Sequence, residues 1–482
     1  MTTTHTQKSS KPVFKGANLI PLLICVTLGL LIWITPPPSG VEVKAWHLLA
    51  IFVALIVGLI GKALPMGGIS FLTLTVLVVT HTLTIKEALS GFSHPIIWLV
   101  VAAFLLSRSF IKTGLGMRIA YLLVAALGKK TLGLGYGVAA TELLLSPVIP
   151  SNTARSGGIV FPIIRALAIS FESTPEKHSQ RLIGSFLILT AYYSNLFTSA
   201  TFVTAMAANP LIIAILAKNN MPLTWGQWAL AASVPAIISA ISIPYIVYKL
   251  YPPEIKDTPE ARNIALKHLR EMGGMSRYEI LTLCVFAMLI VLWMMGESSL
   301  GLDSTAVALI GVCALMLTGV LTWNDIKQEH EAWDALVWFS TLIMIAVYLN
   351  DFGLISWVSG HMQAMMAGME WWFAWPLLVV IYFYSHYLFA SNTAHVTSMY
   401  ATFLTVGIAM QIPPYLIAFS LAFCSSLFAC LTHYGTGCAP ILFGSEYVNL
   451  KTWWRMGAIM SLFFLVVWVV IGSCWWKLLG FW

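Results

Sequence analysis

The sequence predicts an all-α polytopic membrane protein with about 11 transmembrane helices plus two re-entrant hairpins, arranged as two inverted repeats. Three observations predict this fold class. Of the 482 residues, 59% are hydrophobic and 9% are charged, whereas a soluble domain carries about 25% charged residues. Apolar segments of about 20 residues, the length that crosses a bilayer, recur along the chain. The phrase Ser-Asn-Thr-Ala, followed by Arg or His, occurs inside apolar sequence at 151–155 and again at 391–395.

The first half of the chain contains six predicted crossings and one hairpin. The crossings are expected near 17–35, 45–63, 68–84, 93–112, 182–217 and 228–250. Residues 115–131 have the pattern of an interfacial amphipathic segment. The apolar stretch 132–170 contains Pro147 and Pro150 in its middle, which predicts a hairpin that enters and leaves on one side. An interruption of the fifth crossing is expected at Asn209-Pro210.

The second half is predicted to repeat this order after a polar linker. Crossings are expected near 280–297, 304–322, 333–352, 415–443 and 457–479. The second hairpin spans about 372–410, and the tenth crossing is broken around 435–437. The predicted units are a tail and first helix (1–44), a first repeat (45–252), a cytoplasmic linker (253–279) and a second repeat (280–482).

The spacing and the charges indicate duplication with inversion. Trp98 and Trp338 lie 240 residues apart, as do Arg155 and His395. Each repeat has an odd number of crossings, so the second must be inverted relative to the first. With the N-terminus cytoplasmic, the predicted outer segments hold only Lys44, Lys86, Lys218 and Lys477, in agreement with positive-inside sorting. Inverted repeats with broken helices are typical of secondary transporters.

The two repeated phrases are the strongest candidates for a binding site. They contribute the polar side chains Ser151, Asn152, Thr153, Ser391, Asn392 and Thr393. Hydroxyl and amide groups donate hydrogen bonds, and a helix that starts at such a tip favours an anion. Two tips from opposite sides could therefore hold the two ends of a dicarboxylate. The alternative is that each phrase only caps a helix.

Four further residues complete the predicted site. Arg155 follows the first tip and can hold a carboxylate in a bidentate fork. His395 follows the second tip and can carry a proton. The alternatives are that Arg155 neutralises Glu142, Asp334 or a helix C-terminus, and that His395 is a neutral packing residue. Thr204 and Thr436 lie beside the two helix breaks, where hydroxyls can meet substrate unless the breaks are simple kinks.

No metal site, cofactor or enzymatic centre is expected. The seven cysteines form no CxxC pair, and neither HExxH nor GxSxG occurs. The net charge of +7 is explained by membrane topology, so the bilayer and a small anion are expected partners and nucleic acid is not.

Three phrases resemble the divalent anion:sodium symporter family of di- and tricarboxylate transporters, and in particular its plastid and bacterial dicarboxylate-exchanger branch. They lie at 150–155, 202–210 and 431–440, within a likeness that covers nearly the whole chain. The resemblance implies a homodimer in which each protomer has a scaffold domain and a mobile transport domain. The transport domain would carry substrate across the membrane as an elevator.

The second helix break departs from that family's pattern. Symporters of the family bind Na⁺ at the tips and carry a Thr-Pro-Pro-Asn-type turn, whereas residues 432–435 here read Thr-His-Tyr-Gly. Because Arg155 and His395 follow the tips, we expect fixed cations to replace Na⁺. The expected function is Na⁺-independent exchange of C4/C5 dicarboxylates (malate, succinate, fumarate, 2-oxoglutarate or similar), and Na⁺-coupled symport is the alternative. The polar first 16 residues favour a retained first helix in a bacterial cytoplasmic membrane.

Overall fold

The described chain is helical, as the composition predicts. The computed structural model describes residues 16–295, 301–365 and 368–482, and within these ranges it contains no strand, only one isolated bridge between Lys130 and Asp257. Helices satisfy every backbone group internally, which apolar surroundings require. The helices of the first half are α1 (Leu19–Ile34), α2 (Val43–Ile60), α3 (Met66–Val79), α4 (Ile85–Ala88), α5 (Pro95–Thr113), α6 (Leu115–Leu127), α7 (Thr131–Leu145), α8 (Phe161–Ser170), α9 (Gly184–Thr201), α10 (Ala208–Lys218) and α11 (Trp225–Leu250).

The second half continues in the same manner. Its helices are α12 (Pro259–Met272), α13 (Arg277–Met295), α14 (Ser304–Leu317), α15 (Trp323–Gln328), α16 (His330–Asp351), α17 (Leu354–Met365), α18 (Trp371–Tyr384), α19 (Asn392–His395), α20 (Ala401–Ala409), α21 (Pro414–Leu427), α22 (Ala439–Phe443), α23 (Leu450–Phe464) and α24 (Gly472–Leu478). Short 3₁₀ or π-helical turns connect several of them, including α8 to the first tip and α20 to the second.

Several of these helices match a bilayer in length and composition. Within the described ranges, 7 helical segments have at least 18 residues and enough apolar character to cross a membrane. Shorter apolar helices of 10–17 residues supply further segments. The prediction of an all-helical membrane protein is therefore confirmed, while the number of 11 crossings stays a prediction.

The same local features occur in both halves at nearly constant spacing. Thr84 and Thr322 each begin a short helix with a capping box, completed by Glu87 and Asp325. Gly114 and Gly353 both have a φ of 78° at the end of a long helix, a left-handed conformation that costs glycine little. These features recur 238 to 239 residues apart, as expected for a duplicated chain. The inversion and the boundaries of the two repeats stay predictions.

Some predicted segments differ from the structure. The first break lies at residues 202–207, because Asn209 and Pro210 already belong to the first turn of α10, where proline is tolerated. The linker 253–279 contains α12 and the start of α13. Arg118, predicted to lie in an interfacial segment, is buried and its Nε donates to Glu279 Oε1 at 2.5 Å. This ion pair connects α6 to the end of the linker.

Candidate functional site between the hairpin tips

Both hairpins turn at a Ser-Asn-Thr phrase, and both serines cap a backbone amide. Ser151 Oγ accepts from the Ala154 amide at 3.1 Å, and Ser391 Oγ accepts from the Ala394 amide at 3.4 Å. The capping role that formed the alternative interpretation is thus present at both tips. A cap uses the serine oxygen as an acceptor, so the hydroxyl hydrogen of each serine can still donate to a ligand. Capping and binding are compatible here.

A π-helical turn follows each tip. The first covers Thr153–Val160 and the second covers Val396–Tyr400. Such turns are rare and often occur at functional sites. With a shift of 240 residues the second turn corresponds to residues 156–160, so the two turns overlap, although residues 392–395 of the second hairpin form the α-helical turn α19.

The two tips meet at one cavity of about 280 Å³, called here the tip cavity. Seven of the ten predicted site residues line it, namely Ser151, Asn152, Thr153, Ser391, Asn392, Thr393 and Thr436. A neighbouring cavity of about 740 Å³ shares Ser391, Thr393 and Thr436 with it. The structure therefore brings the polar residues of both phrases, which are 240 positions apart in sequence, to a single site.

Two amide oxygens in the tip cavity are unsatisfied. Asn152 Oδ1 and Asn392 Oδ1 are buried and have no hydrogen-bond partner among the described residues. The orientation of Asn392 is fixed, because its Nδ2 donates to the Ser425 carbonyl at 3.2 Å. A buried acceptor without a partner costs about 1–3 kcal/mol. These two oxygens are suited to a ligand that brings a hydroxyl group, a protonated carboxyl group or a cation.

Arg155 does not line the tip cavity, and its predicted contact with substrate stays a prediction. Its side chain is 0% exposed, and its Nε lies 2.8 Å from Glu142 Oε2. Nη1 donates to the carbonyls of Ile149 at 2.7 Å and Ala205 at 3.1 Å, and Nη2 donates to Ser199 Oγ at 2.7 Å. The alternative, in which Arg155 neutralises Glu142, is what the structure shows. Arg155 holds the first tip against the first break.

His395 is likewise absent from the lining of the tip cavity, and its predicted contact with substrate stays a prediction. Its Nε2 is 3.1 Å from Ser385 Oγ, and its Nδ1 is 3.1 Å from Nδ1 of His386. The ring stacks between Phe389 and Phe428, at centroid distances of 4.5 and 4.4 Å. Because two imidazole nitrogens share one hydrogen bond, one must donate and the other accept. In this structure His395 packs within an aromatic cluster.

Thr204 is the third predicted site residue that lies outside the tip cavity. It is buried, donates to the Pro147 carbonyl at 2.7 Å and accepts from Trp225 Nε1 at 3.2 Å. Pro147 precedes the first tip, so Thr204 connects the hairpin to the first break. Its role is to hold the backbone, because both hydrogen bonds of its hydroxyl are used within the protein.

Asn195 is a residue of this site that the sequence did not reveal. Its Nδ2 donates to Glu142 Oε2 at 3.0 Å, and its Oδ1 accepts from Cys438 Sγ at 3.3 Å. Asn195 lies in the middle of the apolar helix α9, and a buried amide at such a position needs partners. A polar residue in the middle of an apolar helix is the signal in the sequence that could have indicated Asn195. Glu331 and Asp334 of α16 also line the tip cavity, although neither was predicted there as a site residue.

The second break approaches the first tip closely, and this approach depends on a glycine. A Cβ placed on Gly437 would collide with Thr153 Oγ1, whereas a Cβ on Gly158 in the same hairpin would meet nothing within 4 Å. In Gly437→Ala the Thr153 hydroxyl must rotate out of the tip cavity. We expect the KM for substrate to rise about fivefold, the loss of one hydrogen bond. Gly158→Ala is the matched control, and equal transport by both variants would contradict this geometry.

The fold and the site together define a class of protein. Apolar helices long enough for a bilayer surround two hairpins whose polar tips enclose a small cavity. This arrangement is that of a membrane transport protein.

Comparison with known proteins assigns the family. Residues 16–482 match the model of the sodium:sulfate symporter transmembrane region, and the chain belongs to this family. It is 53% identical over 469 residues to "Putative malate transporter YflS" of Bacillus subtilis, covering 97% of this chain and 98% of that protein. It is 43% identical over 473 residues to "Dicarboxylate transporter 1, chloroplastic" of Arabidopsis thaliana, covering 97% and 85%. The predicted resemblance to the dicarboxylate branch is thereby confirmed.

A solved structure shows the same fold. The YdaH transporter of Alcanivorax borkumensis superposes with a TM-score of 0.58 at 14% identity, over 96% of this chain and 97% of that one.

Proposed function

We propose that this protein transports C4/C5 dicarboxylates, such as malate, succinate, fumarate or 2-oxoglutarate, and binds them in the tip cavity. The observation that carries the proposal is the meeting of both Ser-Asn-Thr tips at one cavity. Each tip offers hydroxyl donors and the amino end of a hairpin helix, which suit one carboxylate. The names of YflS and of the chloroplast relative, a malate and a dicarboxylate transporter, support the same substrate class.

The proposed transport is Na⁺-independent exchange. Arg155 donates to the carbonyl of Ile149 before the first tip and to the carbonyl of Ala205 in the first break. At the second tip, His386 Nε2 lies 2.9 Å from the carbonyl oxygen of Gly435 in the second break. Backbone carbonyls at such junctions of tip and break are the groups that can ligate Na⁺. Side chains hold them here, so the tips can keep their shape without a bound cation.

The charge of Arg155 does not restrain the empty site. An unpaired Arg⁺ would oppose movement of the site through the membrane, because a lone buried charge is costly, but Glu142 neutralises Arg155. If exchange is obligatory, groups other than Arg155 must therefore restrain the empty site. The alternative of Na⁺-coupled symport is favoured by the unsatisfied Asn152 Oδ1 and Asn392 Oδ1, because amide oxygens can ligate a cation.

The wider assembly is also part of the proposal. The protein would act as a homodimer in a bacterial cytoplasmic membrane, with repeats at 45–252 and 280–482 inverted about the 253–279 linker. A transport domain containing both hairpins would move as an elevator against a scaffold. The identity to a Bacillus subtilis protein, which is higher than to the Arabidopsis chloroplast protein, supports the bacterial location.

Uptake into proteoliposomes tests this function. Vesicles containing the purified protein are loaded with malate or left empty, and entry of labelled malate is followed with an inward Na⁺ gradient or with choline in its place. We expect rapid uptake only into loaded vesicles and no effect of Na⁺. Uptake into empty vesicles that requires Na⁺ would replace exchange by symport, and no uptake of any dicarboxylate would overturn the proposed function.

A further inference from the structure

The side-chain amide of Asn392 is held in one orientation at the second tip. Its Nδ2 donates to the carbonyl oxygen of Ser425 at 3.2 Å and to Sδ of Met206 at 3.4 Å. A side-chain amide has two N–H donors, so these two acceptors account for both hydrogens. A reversed amide would place Oδ1 against the Ser425 carbonyl oxygen, and two acceptors cannot form a hydrogen bond. The group that Asn392 keeps for a ligand is therefore an acceptor.

This acceptor is buried and has no partner within the described part of the chain. Asn392 lines the tip cavity and is 5% exposed, and no described residue donates to its Oδ1. Buried polar atoms are nearly always hydrogen-bonded in folded proteins. We therefore expect the ligand of the tip cavity to bring a donor to this oxygen.

An ionised carboxylate cannot be that donor. It accepts hydrogen bonds and has no hydrogen to give, so the two ends of a dianion suit the hydroxyl groups of the tips and not the Asn392 oxygen. Malate and tartrate carry hydroxyl groups in addition to their carboxylates. Succinate, fumarate and 2-oxoglutarate have none. The orientation of Asn392 thus separates the dicarboxylates into two groups.

The first tip does not fix its asparagine in this way. Asn195 donates to the backbone carbonyl of Asn152, at 3.5 Å, and no hydrogen bond within the described residues holds the Asn152 side chain. This amide can turn and donate to a carboxylate through its Nδ2. Met206, which is 4% exposed and lies in the first break, also lines the tip cavity. A residue of the first half of the chain therefore orients the asparagine of the second.

We propose that Asn392 makes the carrier selective for dicarboxylates with a 2-hydroxyl group, such as malate, and that Met206 is the positioning residue for its amide. The hydroxyl of the substrate donates to Asn392 Oδ1 while the tip hydroxyls hold the carboxylates. Succinate leaves this oxygen unpaired, and a site that binds a substrate hydroxyl discriminates against an analogue that lacks it. This inference rests on the proposed function and narrows its substrate class.

The test compares the KM values for external malate and succinate in proteoliposomes loaded with malate. For the unaltered protein we expect the succinate KM to be higher by about five- to a hundredfold, the effect of one unpaired buried acceptor. Asn392→Leu removes the acceptor, so the two KM values should become similar. Met206→Leu keeps the size of the side chain but frees one amide hydrogen for a carboxylate, so the succinate KM should fall about fivefold.

Asn152→Leu is the matched control at the other tip. It should change both KM values by the same factor and leave their ratio as in the unaltered protein. A loss of discrimination in Asn152→Leu as large as in Asn392→Leu would overturn the assignment to the second tip. Thermal unfolding in detergent confirms that each variant is folded, and Met206→Leu decides the question if Asn392→Leu does not fold.

Other outcomes separate this inference from the proposed function. Equal KM values for malate and succinate in the unaltered protein, or an unchanged ratio in Asn392→Leu, would overturn the inference alone. If Asn392 Oδ1 instead binds Na⁺, Asn392→Leu should change the difference between sodium and choline media equally for both substrates. An absence of exchange with any dicarboxylate by the unaltered protein would refute the proposed function.

Discussion

Replacing Arg155 with Met is expected to abolish transport and to lower the free energy of unfolding by about 3–5 kcal/mol. The reason is that Glu142, which is 0% exposed, would be left without its ion-pair partner in surroundings that cannot solvate it. Glu142→Met should cost a similar amount, because it leaves the guanidinium unpaired. Thermal or denaturant unfolding in detergent, together with malate exchange in proteoliposomes, measures both effects.

The double variant Arg155→Met with Glu142→Met provides the decisive comparison. Since both charges are removed together, its stability should recover well beyond that of either single variant, whereas transport should stay low because the carbonyls of Ile149 and Ala205 lose their donor. Lys177→Ala, which breaks the exposed pair with Glu172, is the control and should change little. An Arg155 variant of normal stability that fails only in substrate binding would favour direct contact with substrate after all.

The variants Asn152→Asp and Asn392→Asp are expected to lose dicarboxylate binding by about fivefold to a thousandfold. Each places a carboxylate at the wall of the tip cavity, and two like charges about 4 Å apart repel by about 1–4 kcal/mol at effective dielectric constants between 80 and 20. Asn→Leu at the same positions keeps the size without the charge and should cost much less. The malate KM in exchange experiments gives the comparison.

The Asn152→Asp variant also distinguishes Na⁺-coupled symport from Na⁺-independent exchange. If Na⁺ is bound at the tips, an added carboxylate strengthens its binding, and Asn152→Asp should then retain uptake that depends on Na⁺. If the protein exchanges anions without Na⁺, the loss of transport in Asn152→Asp should be the same in sodium and in choline. Equal, undiminished transport by the Asp and Leu variants would show that these amides do not face the substrate.

The hairpin tips were predictable because polar side chains inside apolar sequence are costly. Ser151 and Ser391 lie in such a context with the same neighbours, and a repeated exception to apolar composition needs a common reason. The positions of the helices were predictable from the apolar segments that are long enough to cross a bilayer. The π-helical turns were not predictable, because they are a register of backbone hydrogen bonds and no particular residue type requires them.

The direction of the basic side chains could not be predicted from their position after the tips. Arg155 turns away from the tip cavity because the closed hairpin brings Glu142 next to it, and these residues are 13 positions apart in sequence. His395 meets His386 in the same way. Which side chain becomes the partner of Arg155 or of His395 depends on how the helices pack. The sequence identified Glu142 only as one of several possible partners for Arg155.

Glu331 was missed for a different reason. An acidic residue in the first turn of a helix is favourable by itself, because it faces the positive end of the helix dipole. This effect alone explains an acidic residue at that position, so nothing in the residue pattern indicates that Glu331 also lines the tip cavity. Only the packing of α16 beside the first tip places Glu331 at the binding site.

Cys438 links the two halves of the chain through a series of hydrogen bonds. Its thiol donates to Asn195, which donates to Glu142, and Glu142 in turn pairs with Arg155. Cys438 comes from the second half of the chain and the other three from the first, so the halves cannot diverge independently at these positions. A duplicated gene usually frees one copy to change. If the predicted duplication holds, the meeting of both halves at one site makes each half part of the selective environment of the other.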